Sequence, residues 1–353
     1  MPIHQIPLTD VEQKKREYLK NTRPRVYEKV MNYAAKAMRG ESIAILQFQY
    51  DYRCNFHCRH CCTSKMDKQR RHFTLEDVRE LSRQADEIGL AHVTITGGEP
   101  LLFPDFDELV MAIDPNKFFI ASDSNGWLLD DAKARHLKSI GVEKVHLSLD
   151  SISPQEHDDF RRKPGSHERV LKAIDASLKA GLSVLLNTVV TKERAYSQEF
   201  IDFLEFTKKL GVGVVMMLAK PAGEWEGRTD ILLTQEDLAH VRELEKRYHA
   251  FTHLVPAYGL DLGCIAVKRM VSITRYGDVM PCPWIHISIG NFFEEPLKDI
   301  LERGMNIRFF GNRQETCLGS VKGEFLDNYI SKLEGKQPPV PYQEVFTEKD
   351  YIR

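Results

Sequence analysis

The fold is decided by the stretch Cys54-Asn55-Phe56-His57-Cys58-Arg59-His60-Cys61, in which three cysteines have C-x3-C-x2-C spacing. It directly follows the apolar, aromatic run Ile43–Tyr52. That run is typical of a β-strand, so we expect the cysteines on the loop beyond its C-terminal end. A [4Fe–4S] cluster that only carries electrons takes four ligands. Three protein thiolates would therefore leave one iron open, as a catalytic zinc leaves one position open for substrate.

A structural zinc site or buried free thiols are the alternatives for three neighbouring cysteines. Structural zinc sites usually take four ligands, often as paired C-x2-C units, and the spacing here is different. It resembles the signature of the radical S-adenosylmethionine (radical SAM) enzymes. In that family the open iron chelates the amino and carboxylate groups of SAM. Reductive cleavage then gives the 5′-deoxyadenosyl radical, which abstracts a hydrogen atom from the substrate.

Strand and helix patterns alternate after this loop, which predicts parallel β/α units with right-handed connections. The predicted strands are Ile43–Tyr52, His92–Thr96, Lys117–Ser122, Lys144–Asp150, Ser183–Val190 and Val212–Leu218. Helix N-caps are predicted at Thr74, Asp130, Ser166, Ser197 and Thr234. The resemblance implies an α/β fold in which the six strands form a partial (β/α)6 barrel. Chemistry in such barrels gathers at the C-terminal ends of the strands.

We expect four segments along the chain: a helical N-terminal extension over 1–40, the radical SAM core barrel over 41–250, a small α+β domain over 251–325 and a tail over 326–353. The extension is predicted to contain the helices Asp10–Asn21 and Arg25–Arg39, and to pack on the barrel as a cap. It is too short for the winged-helix peptide-recognition domain that many peptide-modifying relatives carry at this end.

The resemblance also gives roles to residues that follow the later strands. Gly97-Gly98-Glu99-Pro100 resembles the GGEP motif that holds the amino group of SAM, and Asn125 belongs to a turn similar to the family's Thr-Asn-Gly. Arg161 is expected to clamp the SAM carboxylate, and His60 to lie near adenine. Contacts with the ribose or methionyl part of SAM are implied for Ser148 and Asp150, and a contact with the ribose for Asn187. Turns, strand-end caps and a solvated charge run are the structural alternatives for these residues.

A second cysteine pattern lies in the C-terminal third of the chain. Cys264, Gly277 and Cys282 have C-x12-G-x4-C spacing, and Cys317 follows. This resembles the SPASM and shorter twitch domains of radical SAM enzymes, which bind auxiliary [4Fe–4S] clusters. Ser320 stands where a full SPASM domain would continue with another cysteine. We therefore expect at most one auxiliary cluster, either with a fourth ligand other than Cys or with one open iron. Ordinary core thiols are the alternative.

The composition limits the partners and the compartment. The net charge of −2 over 353 residues gives no general case for nucleic acid or membrane. Seven cysteines kept as thiols indicate a reducing, cytoplasmic setting. Cys62, next to the first three, is not assigned to a cluster.

The resemblance implies a radical SAM oxidoreductase that uses a [4Fe–4S] cluster, SAM and a second, auxiliary [4Fe–4S] cluster. Its electron donor is expected to be a flavodoxin or ferredoxin. We expect a small-molecule substrate, such as a sugar- or cyclitol-like metabolite, that is dehydrogenated or rearranged. A peptide- or protein-modifying enzyme is an alternative within the same chemistry. A non-catalytic iron–sulfur carrier and a zinc-binding structural protein are alternatives of other classes.

Overall fold

A computed structural model of the chain describes residues 4–66 and 70–352. The strands are β1 (His4–Gln5), β2 (Ile45–Asp51), β3 (His92–Gly97), β4 (Phe119–Ser124), β5 (Val142–Ser148), β6 (Ser183–Val190), β7 (Gly213–Leu218), β8 (Ala250–Phe251), β9 (Leu260–Asp261), β10 (Met270–Ile273), β11 (Val279–Met280), β12 (Ile287–Ser288) and β13 (Val340–Pro341). Nine strands of the described part form one sheet in the order β11-β10-β2-β3-β4-β5-β6-β7-β8. Neighbours from β2 to β8 are parallel. The predicted α/β fold with a parallel sheet is confirmed.

The parallel strands have one apolar face and one more polar face. Phe48, Ile120 and Leu186 are completely buried on the side that the helices cover. Residues at alternate positions of the same strands, including Gln47 and Asp123, are half-buried on the opposite, inner face. Because side chains alternate along a strand, the same strands supply both the hydrophobic core and a polar inner surface.

The helices are α1 (Asp10–Thr22), α2 (Pro24–Met31), α3 (Tyr33–Met38), α4 (Leu75–Glu87), α5 (Phe106–Ile113), α6 (Asp131–Ser139), α7 (Pro154–Arg161), α8 (Ser166–Lys179), α9 (Gln198–Leu210), α10 (Gln235–Arg247), α11 (Leu297–Asn306) and α12 (Arg308–Gly311). Four predicted N-caps accept the expected backbone hydrogen bond, namely Thr74, Asp130, Ser197 and Thr234.

The predicted N-cap at Ser166 is wrong. Gly165 precedes α8 in a left-handed conformation, and Ser166 is the first helical residue. Asp158, at the end of α7, accepts hydrogen bonds from the Ser166 hydroxyl at 2.9 Å and from the His167 N–H at 2.8 Å. A carboxylate from the preceding helix therefore caps α8, a long-range contact that a local motif does not indicate.

The N-terminal helices pack at the end of the barrel away from the cysteine loop. Val26, Val30 and Tyr33 form a small core with Ala91, which precedes β3, and with Leu260. The second helix predicted here, over 25–39, is divided at Asn32 into α2 and α3. Among the described residues, no helix is both long enough and apolar enough to cross a membrane.

The sheet continues across the boundary expected at residue 250. Strand β10 pairs in parallel with β2, and Met270 lies opposite Ile45. The predicted hairpin is present, because β10 pairs antiparallel with β11. The tail also takes part in the fold, since β13 pairs with β12 and Phe346 packs against Phe325. The second cysteine group is thus carried by a segment that completes the edge of the main sheet.

Candidate functional site

The first cysteine group lies on the loop after β2, at the C-terminal edge of the sheet. Cys54 is exposed, and Cys58 and Cys61 are half-buried. The loop is anchored by Phe56, which is 5 % exposed and packs edge-on against Trp127 at 5.9 Å between ring centroids. The Phe56 N–H donates to Cys54 Sγ at 3.4 Å, and the Cys61 N–H donates to the Cys58 carbonyl at 3.2 Å. The anchor thus holds a short loop that is less deeply buried than the hydrophobic core.

The glycines of the Gly97-Gly98-Glu99-Pro100 turn bring β3 against this loop. A Cβ on Gly97 would lie 2.1 Å from the Asp51 carbonyl oxygen, and one on Gly98 would lie 2.0 Å from the Arg53 carbonyl oxygen. The Gly98 N–H donates to Asp51 O and the Glu99 N–H to Arg53 O, each at 2.8 Å. The sequence predicts close approach of this backbone to a ligand. In the structure the close contact is with the backbone leading into the cysteine loop.

Glu99 connects this turn to the next one. Its carboxylate accepts from Ser124 Oγ at 2.8 Å, from the Asn125 N–H at 2.7 Å and from the Leu101 N–H at 3.2 Å. Asn125 in turn donates from Nδ2 to Asn55 Oδ1 in the cysteine loop at 2.8 Å. Burial raises the pKa of Glu99 to about 7, although these hydrogen bonds oppose the shift. The side chain expected to receive an ammonium thus also fixes the geometry of the site.

Arg161 and Asp150 form a buried ion pair beside Cys58. Arg161 Nε donates to Asp150 Oδ2 at 2.7 Å, and both residues are 6 % exposed. Asp150 Oδ1 also accepts from the Val189 N–H at 3.0 Å. Although burial opposes it, the positive charge of Arg161 lowers the pKa of Asp150 to about 2. The Arg161 guanidinium lies 3.9 Å from Cys58 Sγ, so a positive charge faces the cysteine loop.

Two atoms of this region are buried without a well-aligned hydrogen bond. Arg161 Nη2 lies 2.7 Å from Asp150 Oδ2 but outside hydrogen-bonding geometry, and His60 Nδ1 has no partner. The His60 ring stacks on Phe160 with 4.7 Å between centroids and 4° between planes, and Trp225 lies 6.2 Å away. Burial lowers the pKa of His60 to about 3, so the ring is neutral. The neutral, stacked ring of His60 suits an aromatic base. Arg161 Nη2, which makes no well-aligned hydrogen bond, suits a carboxylate.

The remaining predicted residues lie on the inner face. Ser148 and Asn187 are register partners on β5 and β6, and both are half-buried. Asp123, which sequence reasoning missed, accepts from Gln47 Nε2 at 3.2 Å and contacts His146 Nδ1 at 2.8 Å. Gln47 Oε1 is buried without a partner. Polar residues inside otherwise apolar strands were the available signal for Gln47, Asp123 and His146.

The second cysteine group is more deeply buried. Cys264, Cys282 and Cys317 are 3 %, 9 % and 4 % exposed. Cys264 and Cys317 share a hydrogen bond that raises the pKa of Cys264 and lowers that of Cys317. Burial raises the pKa of Cys282 to about 11.

Ser320, the residue in place of the next SPASM cysteine, is hydrogen-bonded to the backbone of β7. Its hydroxyl donates to the Leu218 carbonyl at 3.2 Å, and the residue is completely buried. His253 and Lys220 instead lie near Trp284, two residues after Cys282, with 6.4 Å between the His253 and Trp284 ring centroids and 4.2 Å from Lys220 Nζ to the Trp284 centroid. No local motif marked either residue as part of the site.

The residues of both groups fit iron–sulfur clusters. Within residues 4–66 and 70–352, no three His, Cys, Asp or Glu side chains converge as ligands of a single metal ion. A [4Fe–4S] cluster takes its cysteine ligands on different irons, so it does not require such convergence. Desolvation raises the pKa of Cys54 to about 11 and that of Cys62 to about 12. Cluster binding at the first group therefore has to release thiol protons.

Comparison with known families and proteins agrees with this arrangement. Residues 51–217 match the radical SAM superfamily, and residues 264–319 match an iron–sulfur cluster-binding domain, SPASM. A GTP 3′,8-cyclase of Marinobacter nauticus is 31% identical over 251 residues, which cover 69% of this chain and 73% of the cyclase. An AdoMet-dependent heme synthase of Nitratidesulfovibrio vulgaris is 24% identical over 293 residues, which cover 74% of this chain and 79% of the synthase.

Solved structures show the same fold at lower identity. SuiB of Streptococcus suis superposes with a TM-score of 0.59 at 19% identity, over 89% of this chain and 80% of SuiB. SuiB has also been solved bound to S-adenosylmethionine. The enzyme anSMEcpe, solved with bound AdoMet, superposes with a TM-score of 0.56 at 17% identity, over 73% of this chain and 80% of its own. Both share the overall fold of this chain.

Proposed function

Because this chain belongs to the radical SAM superfamily and carries a SPASM iron–sulfur domain, we propose that it dehydrogenates or rearranges a small polar molecule. Its cofactors are a [4Fe–4S] cluster, SAM and an auxiliary iron–sulfur cluster. When bound, the first cluster and SAM supply the 5′-deoxyadenosyl radical, which removes a hydrogen atom from the substrate. A flavodoxin or ferredoxin is the proposed electron donor.

The observation that carries the proposal is the polar inner face of the barrel. Gln47, Asp123 and His146 form one connected group on three strands, and Gln47 Oε1 is left without a partner. Buried polar atoms without partners are costly, so a ligand that donates hydrogen bonds here would be favoured. The two relatives compared above are named for a heme synthase and a GTP cyclase, and both names support a small-molecule substrate.

The residues at the strand ends are proposed to hold the cofactors. Cys54, Cys58 and Cys61 would ligate the first cluster, and Arg161 beside Cys58 would offset the negative charge of the thiolates. Its free Nη2 would donate to the SAM carboxylate. Stacking of His60 on Phe160 provides an aromatic surface suited to adenine.

Two further strand-end positions complete the proposed SAM site. Ser148 and Asn187 are adjacent in register. Ser148 would contact the ribose or methionyl part, and Asn187 the ribose. Gly97, Gly98 and Glu99 would shape the turn around the amino group, and Asn125 would fix that turn to the cysteine loop.

A net dehydrogenation removes two electrons and two protons from the substrate, one pair as the hydrogen atom taken by the radical. Cys264, Cys282 and Cys317 would hold the auxiliary cluster, which would supply the acceptor for the second electron. The second proton goes to His146 Nε2, because Nδ1 of the same ring is engaged by Asp123. These three cysteines belong to the buried hydrophobic core, which would limit the access of water to this site.

The proposal is tested with anaerobically reconstituted protein, dithionite and SAM. Pools of nucleotides, sugars, cyclitols and tetrapyrroles are compared with a peptide library, and 5′-deoxyadenosine is measured by mass spectrometry together with substrate loss. We expect equal amounts of 5′-deoxyadenosine and product with a small molecule, and a loss of coupling in His146→Asn. Coupling to peptides alone would overturn the small-molecule assignment. Full iron content with no nucleoside product would instead indicate an iron–sulfur carrier.

A further inference from the structure

We propose that Lys220, together with His253, forms a cationic and hydrogen-bonding shell around the auxiliary iron–sulfur site and raises the reduction potential of the cluster bound there. The shell would make this cluster a better electron acceptor, and in that respect the inference rests on the proposed function. Neither residue is a predicted cluster ligand.

Lys220 is a buried cation directly after β7. The residue is 6 % exposed, its Nζ donates to the Leu218 carbonyl at 2.6 Å, and Nζ lies 4.2 Å from the centroid of the Trp284 ring. Burying an ammonium is costly unless negative charge or hydrogen bonds compensate it. One carbonyl and one ring compensate it in part. Thiolate-ligated iron and sulfide would supply the missing negative charge.

The contacts of Lys220 join it to two cysteine-bearing segments. Trp284 lies two residues after Cys282, and its backbone N–H donates to the Cys282 thiol. Ser320 lies three residues after Cys317 and donates to the same Leu218 carbonyl that accepts from Lys220. The ammonium therefore lies where the two segments meet.

His253 covers another side of the same group. Its ring lies 6.4 Å from that of Trp284, the residue two positions after Cys282. The backbone is fixed because Arg269 Nη2 donates to the His253 carbonyl at 2.6 Å. The imidazole and the ammonium therefore both lie near Trp284, two residues after Cys282.

Electrostatics gives the direction of the effect. Reduction of the cluster from the 2+ to the 1+ state adds one electron, and in this step no proton is taken up. A buried positive charge stabilises the more negative, reduced form, and hydrogen bonds to sulfur act in the same direction. Loss of Lys220 should therefore lower the midpoint potential more than loss of His253, because it removes a full charge.

The test uses the full chain with Cys54, Cys58 and Cys61 replaced by Ala, so that iron is bound at the auxiliary site alone. After reconstitution with iron and sulfide, the midpoint potential is measured by EPR-monitored titration with dithionite. Lys220→Met should retain about four irons per chain and favour the oxidised form at least tenfold, a shift of about 59 mV to more negative potential for one electron. His253→Phe should shift it in the same direction by less.

Lys36→Met is the matched control, because Lys36 is also a buried lysine whose Nζ donates to a backbone carbonyl, that of Ile88, in the N-terminal extension. Its potential should be unchanged. A Lys220→Met protein with full iron and the control's potential would overturn the proposal. If Lys220→Met binds no iron, Lys220→Arg decides. If Lys220→Arg restores both the iron content and the midpoint potential, the positive charge of residue 220 is what matters. If Lys220→Arg also binds no iron, the residue contributes only packing. No substrate is present, so failure here is distinct from failure of the proposed function.

Discussion

The two cysteine groups of this protein differ in their exposure to solvent. Cys54 is exposed and its two companions are half-buried, whereas Cys264, Cys282 and Cys317 are all buried. The first group lies on a loop anchored by one aromatic residue, and the second is enclosed by the core of the C-terminal segment. An exposed site can admit a cofactor to an open iron. An enclosed site is suited to hold charge away from water, since a low dielectric strengthens every nearby interaction.

The largest expected contrast comes from removing each cysteine group. Cys54/Cys58/Cys61→Ala should lower iron from about eight to about four per chain and abolish 5′-deoxyadenosine formation. Cys264/Cys282/Cys317→Ala should lower iron equally but retain cleavage of SAM without product. Iron analysis and chromatography of the nucleoside measure both. If both triple variants fail to cleave SAM although each keeps its other cluster, the two cysteine groups do not have separate roles.

The next effect concerns the buried ion pair beside the first group. Arg161→Met leaves the Asp150 carboxylate buried without its partner, so the free energy of unfolding should fall by about 3–5 kcal/mol. The neighbouring Arg162 pairs with Glu224 at the surface, where the two side chains are 44 % and 50 % exposed. Glu224→Gln should therefore cost about 0–1 kcal/mol. Urea denaturation of the apoprotein compares the stabilities of the two variants. Equal losses of stability would show that the buried pair at Asp150 matters no more than the surface pair.

A smaller effect is expected from glycines in the two regions. Gly98→Ala forces a Cβ to within 2.0 Å of a backbone oxygen and should cost about 1–3 kcal/mol in the free energy of unfolding. Gly319→Ala, beside Cys317, places its Cβ 3.6 Å from Ile285 and should change stability by about 0.5 kcal/mol or less. Thermal or urea unfolding reports the difference. If Gly98→Ala does not lower the free energy of unfolding, the turn can move away from the cysteine loop.

The last expected effect is graded with pH, a dependence that Glu99 confers on the first region and that is at most about 1.4 kcal/mol over any one pH unit. Its pKa is about 7 in the folded protein against 4.5 when unperturbed, so the folded state binds more protons between these values. The contribution to stability is complete below pH 4.5 and is lost as the pH rises through 7, with a slope of at most about 1.4 kcal/mol per pH unit. Glu99→Gln should lack this slope in urea denaturation between pH 5 and 8. If Glu99→Gln keeps the same pH dependence of the free energy of unfolding, that dependence comes from other titratable groups.

The sequence predicts the elements of the sheet well because their signals are local. Strand Ser183–Val190 has the bounds expected from its apolar run, and the Thr74 cap forms with Asp77 as its motif indicates. The cysteine loop follows its strand as expected, since spacing and position both lie within a few residues. Local patterns of this kind do not depend on what the fold brings together later.

Partners that are distant in sequence were harder to predict. The family resemblance assigns Arg161 and Asp150 separately to SAM, whereas the structure pairs them with each other. The carboxylate of Glu99 holds the turn at Asn125 as well as facing the site. Lys220 and His253 carry no motif, because their position near Trp284 is created only by the packing of β7 against the C-terminal segment. Such contacts follow from topology and not from periodicity.

The pairing of β10 with β2 has a consequence for how the protein is made. The strand that leads into the first cysteine loop has an unsatisfied edge until Met270–Ile273 has left the ribosome and aligned beside it. A chain truncated after the barrel would expose that edge to other chains. The assembly of the first metal centre is therefore expected to wait for the part of the polypeptide that carries the second.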